Sequence, residues 1–184
     1  MLNNPFSPRG FSLIELMIGI AIMSILLTAA MPSFTAWIQN AKIRTAAESL
    51  QNGLQLARVE AVRLNQHVRF SLVGTDSSWI VVLDATGAQI QSRSGAEGGS
   101  SSITLMTIST APPALATSAT FNGLGQIITP NADGSLPLAE IDVAVPASIL
   151  PASQMRPLRI KISAGGQIRS CDPYFTNPTD PRAC

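Results

Sequence analysis

Residues Arg9–Phe34, RGFSLIELMIGIAIMSILLTAAMPSF, decide how the rest of the chain is read. Between Phe11 and Phe34 the only ionisable side chain is Glu15. As a helix that run is about 36 Å long, enough to cross about 30 Å of hydrocarbon. An ionised carboxylate facing lipid costs about 3 kcal/mol near the midplane, and less towards the headgroups. It is tolerated where a cation meets it. The segment therefore reads as a membrane anchor with a second instruction written into it.

A secretory signal peptide runs from a basic start through an apolar stretch to a small-residue cleavage site. Here the polar leader MLNNPFSPRG comes first and the apolar run follows. A cut between Gly10 and Phe11 creates an α-amine about one helical turn from Glu15. The same amine on a neighbouring subunit would neutralise that acid inside a bundle of such helices. Pro32, near the far end, removes one backbone hydrogen bond and crowds the preceding turn, so a kink is expected there. Gly19, Ser24 and Thr28 lower helicity upstream. Arg9 flanks one side and Lys42 and Arg44 the other, so flanking charge does not decide orientation.

After Pro32 the pattern turns amphipathic. Ile43, Ala46, Leu50, Leu54, Ala57, Ala61 and Leu64 follow one another by three or four residues, with Lys42, Arg44, Glu48, Gln51, Gln55 and Arg58 on the other faces. Such a stripe is the face of a helix docked on a sheet. Residues 11–66 are expected as one helix of about 80 Å, with a membrane-spanning part over 11–34. From His67 onward the period drops towards two. The segments VRFSLVG, SWIVVLD, SITLMTIS, ATFNGLGQII, AEIDVAV, LRIKIS and GQIRSC each read as a strand. Glycines and prolines punctuate them, SGAEGGSSS (94–102) reads as a polar loop, and 109–118 and 146–155 read as connections. The expected organisation is a leader (1–10), a helix (11–66) and a β-rich head (67–184), an α+β chain.

Composition adds exclusions. The net charge of +1 gives no general reason to expect an acidic partner. One histidine, His67, leaves little for a catalytic triad, and Gly-x-Ser-x-Gly is absent. The acids Asp76, Asp84, Glu97, Asp133, Glu140 and Asp142 lack calcium-loop spacing, and GLGQ lacks the lysine of a phosphate loop. No enzyme, metal or cofactor is expected, and a membrane-anchored secreted enzyme has no supporting constellation. The two cysteines, Cys171 and Cys184, are incidental in a cytosolic protein and read as a disulfide in an exported one.

Gly10-Phe11-Ser12-Leu13-Ile14-Glu15 resembles the cleavage and methylation motif of type IV pilins and type II secretion pseudopilins. The resemblance implies that a prepilin peptidase cuts after Gly10 and methylates Phe11, and that Glu15 aligns the subunit with its neighbour. It implies a pilin fold, with the long helix packed on an antiparallel head. It also implies a single-pass inner-membrane protein with a periplasmic head, which later joins a pilus or pseudopilus. Other minor and major pilins and the inner-membrane assembly platform are the partners so implied, and export favours the Cys171–Cys184 bridge. The head resembles the FimT/FimU and GspH branch, with Phe121-x-x-x-Gly125 before a turn and a late Gly166-Gln167-Ile168-Arg169 strand. Its expected role is a minor pilin of a priming or tip complex, with a secretion pseudopilin or a DNA-binding pilin of natural transformation as the alternatives.

Charge is locally biased near the end of the chain, where Arg156, Arg159, Lys161, Arg169 and Arg182 outnumber Asp172 and Asp180. On an edge strand such charges discourage aggregation. Some FimT-type pilins bind DNA through Gly-Arg-x-Arg, where this chain has Gln167 in place of the first arginine. The resemblance makes Arg159, Lys161, Arg169 and Arg182 the candidate phosphate contacts, with Tyr174 and Phe175 available to stack on bases.

Overall fold

A helix, α1 (Leu13–Leu64), precedes strands β1 (Val68–Leu72), β2 (Trp79–Leu83), β3 (Gln89–Arg93), β4 (Thr104–Ser109), β5 (Ser118–Phe121), β6 (Leu138–Ala144), β7 (Leu158–Ile162) and β8 (Ile168–Cys171). This computed structural model describes residues 10–97, 102–109, 115–175, 177 and 179–184. The leader before Gly10, part of the polar loop at 94–102 and part of the connection at 109–118 lie outside the described residues. The chain divides into two compact units, Met1–Trp37 and Ile38–Cys184.

In the first unit the helix begins at a local cap. The Glu15 amide donates to Ser12 Oγ at 3.2 Å and the Leu16 amide to the Ser12 carbonyl at 3.2 Å. Ser12 thus satisfies amides that have no partner inside the helix. Every large apolar side chain described from Phe11 to Trp37 is more than half exposed. Phe34 and Trp37 stack with ring centroids 6.0 Å apart at the end of the apolar run. By length and composition no single helix among the described residues is long and apolar enough to cross a membrane. Leu13–Thr28 and Ser33–Leu64, bent at a break around Pro32, meet that test as a pair.

In the second unit the helix buries Ile43, Ala46, Ala47, Leu50, Leu54, Ala57 and Ala61 almost completely. Leu64, expected in the same stripe, is instead 36% exposed, because the helix ends there. Asn65 adopts φ +50°, and the amides of Asn65 and Gln66 return to the carbonyls of Val62 and Ala61. These two bonds close the helix in a Schellman motif. Gly53 makes room for aromatic rings. A Cβ there would stand 2.8 Å from Trp79 Cε2 and 2.9 Å from Phe70 Cε2. The Trp79 indole N–H donates to Ser49 Oγ at 3.0 Å, so its polar end is satisfied within the core.

Two antiparallel four-stranded sheets complete the head, with orders β3-β2-β1-β5 and β4-β6-β7-β8. Inward side chains of the first include Val68, Phe70, Trp79 and Val81, and of the second Ile141, Val143, Ile160 and Ile162, all buried. The sheets are joined where the Ile127 amide donates to the Ala164 carbonyl at 3.0 Å. Asn40 holds a loop to the helix, its Nδ2 donating to the Gln154 carbonyl at 2.9 Å and its Oδ1 accepting from the Arg156 amide at 2.8 Å.

Two sequence expectations are corrected. Strand β3 was not expected, because Gln89, Gln91, Ser92 and Arg93 give little apolar alternation and an edge strand needs little. The segment ATFNGLGQII is not one strand: β5 stops at Phe121 and the chain turns back at Asn122–Gly125. The returning Ile128 amide donates to the Thr120 carbonyl at 2.9 Å and covers the β5 edge.

Candidate assembly site

Phe11 is 84% exposed, next to the cap made by Ser12. The Glu15 carboxylate, in the first turn of the helix, takes no hydrogen bond or ion pair among the described residues. It is surrounded along the helix by exposed Leu13, Ile14, Leu16 and Ile18. An unpaired acid beside an uncovered apolar surface is a site that a cation on another molecule can complete. Ser12 was missed as a functional residue. Its trace in the sequence is the Ser-x-x-Glu pattern of a capping box before an apolar run, of which the serine half is formed here.

A second constellation lies on the sheet β4-β6-β7-β8. Glu140 and Asp142 on β6 stand opposite Lys161 and Arg159 on β7. Arg159 donates to Asp142 Oδ1 at 2.6 Å and Oδ2 at 2.7 Å, and lies 3.2 Å from Glu140 Oε2. The Asp142 hydrogen bond raises the Arg159 pKa, so the guanidinium stays charged. Lys161 Nζ is 3.2 Å from Glu140 Oε1. Arg169 donates to the carbonyls of Ala183 and Cys184 at 3.2 and 3.0 Å. Arg182 pairs with Asp180 at 2.9 Å, holding that carboxyl below its ordinary pKa, and lies 3.9 Å above the Phe175 ring. Each of the four candidate phosphate contacts is thus engaged within the head. An open depression of about 200 Å³ is lined by Lys161, Ile162, Ser163, Gln167 and Arg169.

Cys171 and Cys184 form a disulfide, which closes the loop bearing Tyr174 and Phe175. The Asp172 amide donates to the Arg182 carbonyl at 2.8 Å inside that loop. Replacing both cysteines by serine is expected to cost the head about 3 kcal/mol in urea unfolding by the loop-entropy model. An unchanged midpoint would show that the loop is held by its hydrogen bonds alone.

The two head motifs singled out in the sequence meet at one point. Asn122 Oδ1 accepts the amides of Leu124 and Gln126 at 2.9 and 3.0 Å, which shapes the turn. Arg58 Nε, from the helix, donates to the Gly125 carbonyl at 3.2 Å. Gly166 lies against that same carbonyl, with its φ at +76°, so closely that an added Cβ would collide with the oxygen. Helix, turn and hairpin are locked together there. Neither motif alone reveals this, because the contact joins residues far apart in the chain.

An apolar N-terminal helix whose first-turn acid is unpaired among the described residues, followed by a two-sheet head, is the architecture of the pilin and pseudopilin class. The model of the Prokaryotic N-terminal methylation motif matches residues 7–31, and that of the Type II transport protein GspH matches residues 46–166. The chain belongs to the GspH family. It is similar in fold to the crystal structure of the type IV minor pilin FimU of Pseudomonas aeruginosa, with a TM-score of 0.50 and 20% identity over 72% of this chain and 90% of that one. The solution structure of E. coli GspH is matched with a TM-score of 0.45 and 15% identity, over 77% of this chain and 95% of that one. No curated protein matches by sequence.

Proposed function

We propose that this chain is a minor pilin, a structural subunit that joins a priming or tip complex on which type IV pilins polymerise. The observation that carries the reading is the Glu15 carboxylate, unpaired among the described residues on a helix whose described large apolar side chains are exposed from Phe11 to Trp37. In this reading prepilin peptidase cuts between Gly10 and Phe11 and methylates Phe11. The helix holds the subunit in the inner membrane with its head in the periplasm. The α-amine of a neighbouring pilin then meets Glu15 in a low-dielectric bundle, where an ion pair is far stronger than in water. The assembly platform draws the subunit out from there.

A second reading, a type II secretion pseudopilin, is favoured by the family model that matches residues 46–166. It uses the same anchor and the same acid. Deletion of the gene separates the two: loss of surface pili with normal protein secretion supports the pilus, and the reverse supports the pseudopilus.

Processing is tested directly. Mass spectrometry of the membrane-extracted protein is expected to show an N-methylated Phe11 at the N-terminus and none of residues 1–10. A full-length chain in cells with active prepilin peptidase would overturn the assignment of Gly10 and Phe11. The DNA-contact reading of Arg159, Lys161, Arg169 and Arg182 would show itself as binding by the head that weakens steeply with salt.

A further inference from the structure

The solvent-facing stripe of the helix in the head unit changes character along its length. Arg44, Glu48, Asn52 and Gln55 are polar and exposed, but Val59 and Val62, one turn apart, are 61% and 51% exposed. Valine is a poor helix former, and these two fill no core. Leu124, 78% exposed in the Asn122–Gly125 turn, precedes the glycine that packs against Val62. A Cβ on Gly125 would lie 3.2 Å from Val62 Cγ2, so the turn sits directly against this end of the helix.

Leu124 is held in place although it touches little. Its own amide is bound by Asn122 Oδ1, the Gly125 amide donates to the Asn122 carbonyl at 2.8 Å, and Arg58 holds the Gly125 carbonyl. A side chain carried on a backbone that is already ordered adds little backbone entropy cost on binding. From this geometry we infer that Val59, Val62 and Leu124 form a docking knob for the head of the adjacent subunit in the filament. The inference rests on the filament reading above.

The size of the patch selects that occupant. Three aliphatic side chains fall well short of the roughly 800 Å² per partner that a stable free complex buries. They suit a neighbour already tethered through its own apolar helix, for which a second contact is in effect intramolecular. The partner surface is therefore an apolar face on another subunit that carries a processed N-terminal helix.

The test uses the full chain in cells that assemble filaments, with a photo-crosslinking phenylalanine analogue at Leu124, or at Ile25 on the anchoring helix. Crosslinks from both positions to subunits that begin with a processed helix are expected. A crosslink from Ile25 without one from Leu124 overturns the docking knob and leaves the filament reading standing. Silence at both positions overturns the two together, and a Leu124 product with a protein lacking such a helix overturns the knob alone. In parallel, Leu124→Asp is expected to cut surface filaments about tenfold, as for loss of one interface hot spot. Its purified protein should melt like the parent, since Leu124 fills no core. Unchanged filament number with Leu124→Asp would equally refute the proposal.

Discussion

Glu15→Ala is expected to leave the protein inserted in the membrane and cut after Gly10, while surface filaments fall to background. Removing the carboxylate makes the first turn more apolar, so insertion is not impaired. The leader, Gly10 and Phe11 are unchanged, and Ser12 still caps the helix, because its bond is to the Glu15 amide and not to the side chain. What is lost is the group that, in the proposed assembly, meets a neighbour's α-amine. That amine would be left uncompensated among apolar helices, and breaking one partner of a desolvated pair costs about 3–5 kcal/mol. At 25 °C that is more than a hundredfold in an association constant. Membrane fractionation with N-terminal sequencing, alongside filament counts, reads both halves of the expectation. Processed Glu15→Ala protein with normal filament number would refute the assembly role, whereas failed insertion would assign the acid to the anchor.

Gly166→Ala is expected to be the most destabilising single methyl addition in the head. Its φ of +76° is strained for any residue with a Cβ, and that Cβ would run into the Gly125 carbonyl oxygen. Left-handed strain of about 1–2 kcal/mol combines with overpacking of about 1–3 kcal/mol. The carbonyl cannot retreat without loosening its bond from Arg58, and the atoms the new methyl meets, the Gly125 oxygen and carbon, belong to backbone. Two neighbours separate the causes. Gly134→Ala has a φ of +80° with open space around it, so it carries the strain alone. Gly165→Ala has ordinary φ and only Ser163 Oγ within reach at 3.9 Å, so it should be close to neutral. Urea unfolding of residues 38–184, which hold the whole described core, gives the order Gly166, Gly134, Gly165. A Gly166→Ala loss no larger than that of Gly134→Ala would mean the junction relaxes, and is not a lock.

The apolar N-terminal helix and its acid were legible from the sequence because their information is local. Length, hydropathy and the order of leader, glycine and apolar run do not depend on what the chain does elsewhere. The buried stripe from Ile43 to Ala61 was equally plain, since a helix repeats its core face every three to four residues. Strands were found where apolar alternation was strong, and β3 was missed where an edge strand is built of polar residues. The roles of the charged residues could not be read that way. Glu140 and Asp142 meet Lys161 and Arg159 only because β6 and β7 pair in one register, and a one-residue slip would turn those side chains to the other face. Gly125 against Val62, and Gly166 against Gly125 under Arg58, likewise arise from contacts across the chain. Sequence by itself determined the apolar N-terminal helix, the place of its single acid and the methylation motif in front of it. Only the tertiary structure decided which surface charges are already paired and which apolar side chains are left facing out, because both depend on which distant segments the fold brings together.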